Sequence, residues 1–373
     1  MRRWNKMAAL VLAGQLSACA SLPPSGHTIS GLRLIGEQRI ARMALYAGTV
    51  MGGFSGLDYD AARGVWLIES DDRCSHDPAR YYEARLDYDA GAFHAVTMQG
   101  VHFYLNRDGL DFSATPAGCA QMDVESIRVD PLDGSIWYSS EGDRRVGISP
   151  FVRHIARDGA VLGELPLPPN FATHRDEERG TRYNTSLEGM AFAPDGASLW
   201  LSLEGPLYED GPLPTFGHGA VVRMTRLQRD GKVLRQFAYP VDAVPVAPAP
   251  GKEAELGVTE ILPLADGELL VLERASVPRA GGVHENYIRL YATDSRGASD
   301  VAALPALAGA SYAPAAKRLV LDVNTLGLPH VDNLEGMAWG PRLPNGHASL
   351  VLVSDDNFSK TQVTQFLLFE VLP

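Results

Sequence analysis

Two glutamates, Glu188 and Glu204, lie at opposite ends of one sequence unit and could act as a pair of carboxylates. Residues 186–206 read SLEGMAFAPDGASLWLSLEGP, two short apolar runs separated by Asp195-Gly196. Glycine supplies the positive φ that a tight hairpin turn requires. Folding the hairpin at this turn brings both carboxylates to its open end, which is where we expect chemistry.

The same hairpin occurs four more times along the chain. The other units begin near Ser55, Glu125, Glu260 and Glu335, and in the first unit serine replaces the first acid. The spacing of about 60 to 75 residues is in the range of propeller blades and arrays rather than of helical solenoids. Two further strand-like runs follow each of the first four hairpins, so each unit predicts one four-stranded blade.

The sequence therefore predicts an all-β fold, a β-propeller of four-stranded blades. Five blades are counted, and six are possible if residues 241–252 or 302–316 hold further strands. The last unit lacks one strand, and residues 29–41 are predicted to supply it, closing the ring and covering a sheet edge. The alternative is a β-sandwich or two small β-domains.

In this topology the turns lie on one face and the acids crowd the opposite mouth of the central channel. Close like charges raise each other's pKa, and a hard cation relieves them. Oxygen-rich surroundings suit Ca²⁺ or Mg²⁺ better than Zn²⁺ or Cu²⁺, and we expect calcium. Glu69 is expected on the same face. The predicted metal ligands are Glu125, Glu188, Glu260, Glu335, Asp71, Asp72, Glu141, Glu204, Glu273, Asp355 and Asp356. Alternatively, these acids cap strand ends or bind channel water.

Cations follow several of these acids in sequence. Arginine's planar fork suits phosphate or carboxylate, although local ion pairs would use the same residues. The predicted substrate-binding residues are Arg73, Arg144, Arg274 and Lys360. The predicted catalytic carboxylates are Glu188, Glu204, Glu125 and Glu335. Three loop histidines, His76, His218 and His330, could also serve as acid or base.

The N-terminus has the pattern of an export signal. A basic start, an apolar run over residues 7–16 and small residues before Cys19 predict a signal peptide over residues 1–18. The pattern is similar to a lipobox, so we expect residues 19–28 to form a lipidated cysteine and tether, and residues 29–373 one propeller domain. Simple secretion is the alternative. Lipidation would place the protein in the cell envelope, with Ala20 favouring the outer membrane.

Charge and cysteines narrow the expectations further. Loss of three N-terminal cations takes the formal charge from −12 to about −15, which argues against nucleic acid as a partner. Cys74 follows the second strand of the first blade and Cys119 precedes the first strand of the second. Both are expected on the acidic face, where they form a disulfide or remain two free thiols.

The hairpins resemble those of one known family. Residues 55–73, 124–143, 186–206, 332–358 and 361–366 are similar to the phytase-like, or "esterase-like activity of phytase", family of secreted bacterial proteins. The resemblance implies a β-propeller hydrolase related to phytases that use calcium and acidic channel residues on phosphate esters.

Three hypotheses follow from this resemblance and the acidic mouth. The first is a calcium-dependent phosphoesterase or esterase, a hydrolase of phosphoric or carboxylic esters. The second is a non-catalytic propeller of the cell envelope that binds a ligand or partner, and the third is a scaffold. We expect a monomer that binds a small anionic ester or other small ligand and touches the membrane only through its lipid.

Overall fold

The computed structural model describes residues 29–114 and 116–373, which are almost entirely strands and loops. The predicted signal peptide and Cys19 lie outside these residues. The strands are β1 (Gly31–Ile40), β2 (Leu45–Tyr46), β3 (Thr49–Val50), β4 (Leu57–Asp60), β5 (Val65–Ser70), β6 (Arg80–Tyr88), β7 (Phe93–Phe103), β8 (Val124–Val129), β9 (Ile136–Ser140), β10 (Phe151–Ile155), β11 (Val161–Leu165), β12 (Leu187–Phe192), β13 (Ser198–Leu203), β14 (Ala220–Gln228), β15 (Val233–Val241), β16 (Glu255–Ala265), β17 (Glu268–Pro278), β18 (His284–Asp294), β19 (Ala316–Asp322), β20 (Leu334–Gly340), β21 (Ser349–Ser354) and β22 (Thr364–Leu372).

Helical structure in this part of the chain is confined to single turns. The four-residue helix α1 (Pro116–Cys119) precedes β8, and the remaining turns are of the 3₁₀ type. The 3₁₀ turns are Phe112–Ala114, Arg144–Val146, Pro169–Phe171, Tyr208–Asp210, Ala280–Gly282 and Val323–Leu326. Over the same residues, the structure contains no helix with the length and apolar character needed to cross a membrane.

Five four-stranded antiparallel sheets form the blades of a β-propeller. Blade I is β4–β7, blade II β8–β11, blade III β12–β15 and blade IV β16–β19, while blade V joins β20–β22 to β1. In blade V, Gly31 lies opposite Leu372 and Ile40 opposite Thr364. The predicted closure by the N-terminal strand is confirmed, and five blades are present rather than six.

The inner two strands of each blade form the predicted hairpin. Gly196 in the turn between β12 and β13 has φ of 64°, a left-handed conformation that favours glycine. A Cβ atom there would also lie 3.1 Å from the ring of Pro131. Such turns lie at the far ends of all five hairpins, on what we call the turn face. The open ends therefore surround the opposite end of the channel, the mouth face.

The hydrophobic core lies between neighbouring blades, because successive side chains of a strand point to opposite sheet faces. In β13, Trp200 packs against blade IV and Leu201 against blade II. In β9, Trp137 packs toward blade III and Tyr138 toward blade I. Each fully buried large side chain contributes about 1.5–3 kcal/mol relative to exposure. These contacts hold the inner strands in a ring, and with them the residues at their mouth ends.

A disulfide joins blades I and II on the mouth face, which is one of the two alternatives that the sequence left open. Cys74 follows β5 and Cys119 ends α1, and their Cα atoms are 5.6 Å apart. The bridge lies beside the acids that follow β5 and precede β8.

Candidate functional site

The five hairpins place equivalent residues around the channel in two rings. In four blades, the amide of an acid after the second strand bonds at 2.7–3.0 Å to a carbonyl just before the first strand. These pairs are Asp71 to Gly53, Glu141 to Asp123, Glu204 to Ser186 and Asp355 to Asn333. In blade IV the corresponding pair is Arg274 and Gly257.

We call the second-strand residues of these pairs the upper ring. It consists of Asp71, Glu141, Glu204, Arg274 and Asp355. Two residues beyond the first-strand partners, the lower ring consists of Ser55, Glu125, Glu188, Thr259 and Glu335. The register of the hairpin strands thus brings the predicted acids together at one mouth. Blade IV is the exception, because Thr259 and Arg274 occupy its two ring positions.

Blade IV departs from the sequence-based alignment by one residue. Glu260 and Glu273 were predicted at the two ring positions, but Thr259 and Arg274 occupy them. The β16–β17 hairpin has a two-residue turn, with Ala265 opposite Glu268, and register shifts interrupt its ladder. Counting from the turn in sequence therefore places the blade IV acids one position away from their structural equivalents.

The rings border a cavity of about 540 Å³ at the mouth. Among the described residues, nine acids and two arginines line it, together with neutral side chains and two histidines. The acids are Asp71, Glu125, Glu141, Glu188, Glu204, Glu255, Asp332, Glu335 and Asp355, and the arginines are Arg73 and Arg274. All four predicted catalytic carboxylates line this cavity.

Three buried carboxylates come closest together on the blade II side. Asp123, Glu125 and Glu141 each offer an oxygen, and these oxygens lie within 4.8 Å of one another. Burial and then the charge of Glu188 raise the pKa of Glu125 well above its usual value. Burial and Asp123 do the same to the pKa of Glu141. This carboxylate trio is an oxygen-only donor set of the kind that hard cations prefer.

Glu69 adds a further carboxyl behind the trio. It is completely buried, and neither of its oxygens has a hydrogen-bond partner among the described residues. Burial, followed by the charges of Asp123 and Asp355, raises its pKa well above the usual value. A buried polar group without a hydrogen-bond partner costs roughly 1–3 kcal/mol of stability. The unpaired carboxyl of Glu69 therefore destabilises this side of the channel.

Arg73 is the counter-ion of the trio. Its guanidinium forms an ion pair with Asp123 and reaches Glu141 at 3.4 Å. Arg73 and the adjacent Cys74 both have positive φ, 47° and 55°, and the disulfide anchors this segment to blade II. Arg73 therefore lines the cavity, but its guanidinium is directed at carboxylates of the protein.

Arg274 neutralises the opposite side of the mouth. Its Nη2 donates to Glu335 at 2.8 Å and to Glu204 at 3.2 Å, and its Nη1 lies 3.6 Å from Glu255. Burial raises the pKa of Glu204 from 4.5 to about 7, and Arg274 opposes this rise. Among the described residues of the lining, Asp71, Glu125, Glu188 and Asp355 form no ion pair.

Four predicted metal ligands lie outside the cavity. Asp72 pairs with Arg80 at 2.6 Å and with His76 at 2.9 Å. Asp356 accepts hydrogen bonds from Gly53 N at 3.0 Å and Thr364 Oγ1 at 3.0 Å. These two acids fix loops.

The other two displaced ligands belong to blade IV. Glu273 bonds to Tyr239 Oη at 2.7 Å and Lys317 Nζ at 2.6 Å. Glu260 lies deeper in the channel and pairs with Arg128 at 2.5 Å. For these four acids, local ion pairing or hydrogen bonding describes the observed contacts.

Two predicted substrate-binding cations also lie elsewhere. Arg144 donates to the carbonyl of Thr181 at 3.0 Å and stacks on Tyr208, so it supports a loop. Lys360 is exposed and is absent from the cavity lining.

Of the three predicted histidines, His330 lines the cavity and bonds to Asp332 at 3.0 Å, whereas His76 stacks on Phe358. His218 belongs to an exposed loop outside the lining.

Sequence reasoning missed Asp123, the residue that completes the trio. The available signal was its position two residues before Glu125, which corresponds to Ser186 before Glu188 and Asn333 before Glu335. Glu255, His284 and several neutral side chains of the lining were also missed. Glu255 begins β16 and His284 begins β18, and the hairpin pattern in the sequence aligns neither position.

The structure defines a five-bladed β-propeller with an acidic channel mouth. Residues 49–358 match the phytase-like family, described as "Esterase-like activity of phytase", and the chain belongs to that family. This confirms the resemblance noted from the hairpins. No curated protein matches the sequence.

Similar solved structures share little sequence with this chain. An endo-arabinase from Bacteroides thetaiotaomicron is 10% identical, with 87% of this chain and 95% of that chain covered and a TM-score of 0.44. A putative oxidoreductase (glucose dehydrogenase) from Thermus thermophilus is 12% identical, with 91% and 100% covered and a TM-score of 0.39. A member of the DUF4221 family from Bacteroides vulgatus is 9% identical, with 92% and 99% covered and a TM-score of 0.39.

Proposed function

We propose that the acidic cavity is the active site of a calcium-dependent hydrolase of esters, with phosphate esters as the first candidate class. The carboxylate trio is the observation that carries this proposal. Two ionised carboxylates whose oxygens lie within 4.8 Å repel by at least about 3.5 kcal/mol at an effective dielectric constant of 20. A cation held by the trio would convert that repulsion into attraction.

The donor atoms of the trio fit calcium. They are carboxylate oxygens of Asp123, Glu125 and Glu141, without sulfur or imidazole. Asp71 and Glu188 line the cavity beside them and would add further oxygens. A bound divalent cation supplies a Lewis acid that polarises an ester oxygen and neutralises an anionic substrate.

Glu204 is the proposed acid–base carboxyl. A group with a pKa of about 7, as for Glu204, can take a proton from water and return it to a leaving group near neutral pH. Arg274 holds the Oε1 atom of Glu204 at 3.2 Å. Among nearby charges, Glu204 contributes most to raising the pKa of Glu188, so their protonation is linked.

One observation favours a second candidate, a propeller that binds a ligand or an envelope partner without turnover. Arg73 and Arg274, the two arginines of the lining, are both engaged by carboxylates of the protein. An anionic ester would therefore depend on bound cations for its attraction, whereas a cationic or neutral ligand would not.

Activity assays separate these candidates. The purified chain is stripped with a chelator and assayed on a generic phosphate monoester and a generic carboxylic ester, with and without calcium. We expect turnover that the chelator removes and calcium restores, and Glu204→Gln should reduce it about 100-fold or more. A melting temperature that calcium raises, without turnover of either ester, would favour the binding candidate. If calcium changed neither the melting temperature nor the turnover of either ester, the proposed function would be overturned.

We further propose that the chain is exported and anchored through a lipid on Cys19, with its small-ligand site working as a monomer. The basic and apolar pattern before Cys19 supports this proposal. Labelled palmitate should be incorporated into the wild-type chain and not into Cys19→Ala. Equal labelling of both would exclude Cys19 as the acceptor.

A further inference from the structure

One buried arginine, Arg128, connects all five blades below the acidic rings. It belongs to β8 of blade II and is only 3% exposed. Its Nε donates to the carbonyl of Met190 in blade III at 2.6 Å, and its Nη1 to that of Leu57 in blade I at 2.7 Å. Its Nη2 reaches the carbonyl of Met337 in blade V at 3.5 Å and pairs with Glu260 of blade IV at 2.5 Å.

The carbonyls that Arg128 binds lie directly under the lower ring. Leu57, Met190 and Met337 each follow a lower-ring residue, namely Ser55, Glu188 and Glu335, by two positions. Arg128 itself follows Glu125 by three positions on the same strand. The distances between blades at this level are therefore set by one planar guanidinium, whose donors have a fixed fork geometry.

Glu260 completes this floor of the channel. Besides its ion pair with Arg128, its Oε1 accepts hydrogen bonds from Ile261 N at 2.8 Å and Met190 N at 3.2 Å. The carboxylate is thus bonded to blades II, III and IV. The one-residue displacement of Glu260 from the mouth, found in blade IV, is what brings this partner to the guanidinium.

Stability alone is a weak reason for such a pair. Buried ion pairs can often be replaced by apolar residues of similar volume without loss of stability, because burying the charges is itself costly. Above the pair, the carboxylates of the two rings repel one another and act to push the inner strands apart. Bonds from one side chain to every blade oppose that separation at the level of the ring.

We propose that Arg128 is a positioning residue that sets the spacing of the ring carboxylates and closes the floor of the cavity. The expected effect of Arg128 on cation binding rests on the proposed function, because the spacing of the carboxylates matters only if they hold a cation. Loss of the Arg128–Glu260 pair should leave a folded propeller whose acids no longer surround a cation correctly.

The test is the double variant Arg128→Met/Glu260→Met of the full chain. Its melting temperature and its calcium affinity are measured by thermal unfolding and by titration calorimetry. We expect the variant to remain folded and to bind calcium at least tenfold more weakly, as is typical when residues supporting metal ligands are removed. The matched control is Arg223→Met/Asp210→Met, which removes an equally buried pair outside the cavity lining and should change calcium affinity less than twofold.

A second variant covers the case in which the double variant does not fold. Arg128→Lys keeps the positive charge opposite Glu260 but lacks the fork, so we expect a folded protein with calcium affinity between those of the wild type and the double variant. Wild-type affinity in a folded double variant, or in Arg128→Lys, would overturn the proposal.

A wild type that does not bind calcium is a different result, and it would count against the proposed function rather than against the role of Arg128. In that case a crystal structure of the folded variant decides. Displaced carboxylates of Glu188 and Glu335 would support the positioning role, and unchanged ones would refute it.

Discussion

Replacing Glu125 by glutamine should stabilise the metal-free protein and weaken calcium binding at the same time. Glutamine keeps the shape of the side chain and removes one charge from the trio, whose oxygens lie within 4.8 Å of one another. Each ionised pair at that distance repels by about 3.5 kcal/mol at an effective dielectric constant of 20. Because burial raises the pKa of Glu125, partial protonation already relieves some of this repulsion. We therefore expect the free energy of unfolding to rise by about 1–3 kcal/mol.

Thermal unfolding of chelator-treated protein near pH 7.5, with and without calcium, measures both effects. For a chain of this length, 1 kcal/mol corresponds to roughly 2 °C in melting temperature. Calcium should raise the melting temperature of the wild type more than that of Glu125→Gln, because the variant's affinity falls at least tenfold.

The matched control for this prediction is Glu164→Gln. Glu164 lies on the outermost strand of the same blade, is 41% exposed in its side chain and pairs with Arg153 at 3.1 Å. Its substitution should change stability by less than about 0.5 kcal/mol with or without calcium. Metal-free Glu125→Gln that is less stable than the wild type would show that the trio is not under electrostatic repulsion, and a wild-type response to calcium would show that Glu125 is not a ligand.

Three further predictions concern the same mouth. Burial raises the pKa of Glu204 from 4.5 to about 7, so its contribution is present below pH 4.5 and is lost as the pH rises through 7. Between pH 8 and pH 5, this group should add up to about 3 kcal/mol to the free energy of unfolding of the metal-free protein, and Glu204→Gln should make that free energy depend less on pH. A melting temperature of the metal-free wild type that falls on acidification would contradict this. Arg73→Met should tighten calcium binding about tenfold in calorimetry, because the guanidinium no longer competes for two carboxylates of the trio; weaker binding would show that Arg73 organises the site instead. Cys74→Ser/Cys119→Ser, which opens a link between residues 45 apart, should lower the free energy of unfolding by about 4 kcal/mol in denaturant titrations, and an unchanged midpoint would contradict that role.

The blades could be predicted because each hairpin carries its own local signals. Asp195-Gly196 defines a turn, and the apolar runs around it define two strands that need neighbours on both faces. The closing strand was predictable because the last unit lacked a partner for β22, and β1 supplies it. The register of blade IV was not predictable, because the shifts in the β16–β17 ladder depend on contacts that no local pattern records.

The site could be predicted as a face but not residue by residue. Adjacent acids such as Asp71 and Asp72, or Asp355 and Asp356, point in different directions, and only the first of each pair lines the cavity. The sequence also could not tell that Arg274 would neutralise part of the mouth, since its hydrogen-bond partners Glu204 and Glu335 come from two other blades. Partner choice of this kind follows from the closure of the ring, which brings together residues far apart in sequence.

Calcium binding to the stripped protein tests whether the mouth is a cation site. Titration calorimetry near pH 7.5 should detect at least one calcium ion bound to the wild type. Glu125→Gln should bind it at least tenfold more weakly, while Glu164→Gln should bind as the wild type does. Absence of binding to the wild type, or binding that Glu125→Gln leaves unchanged, would show that the carboxylate trio does not hold calcium.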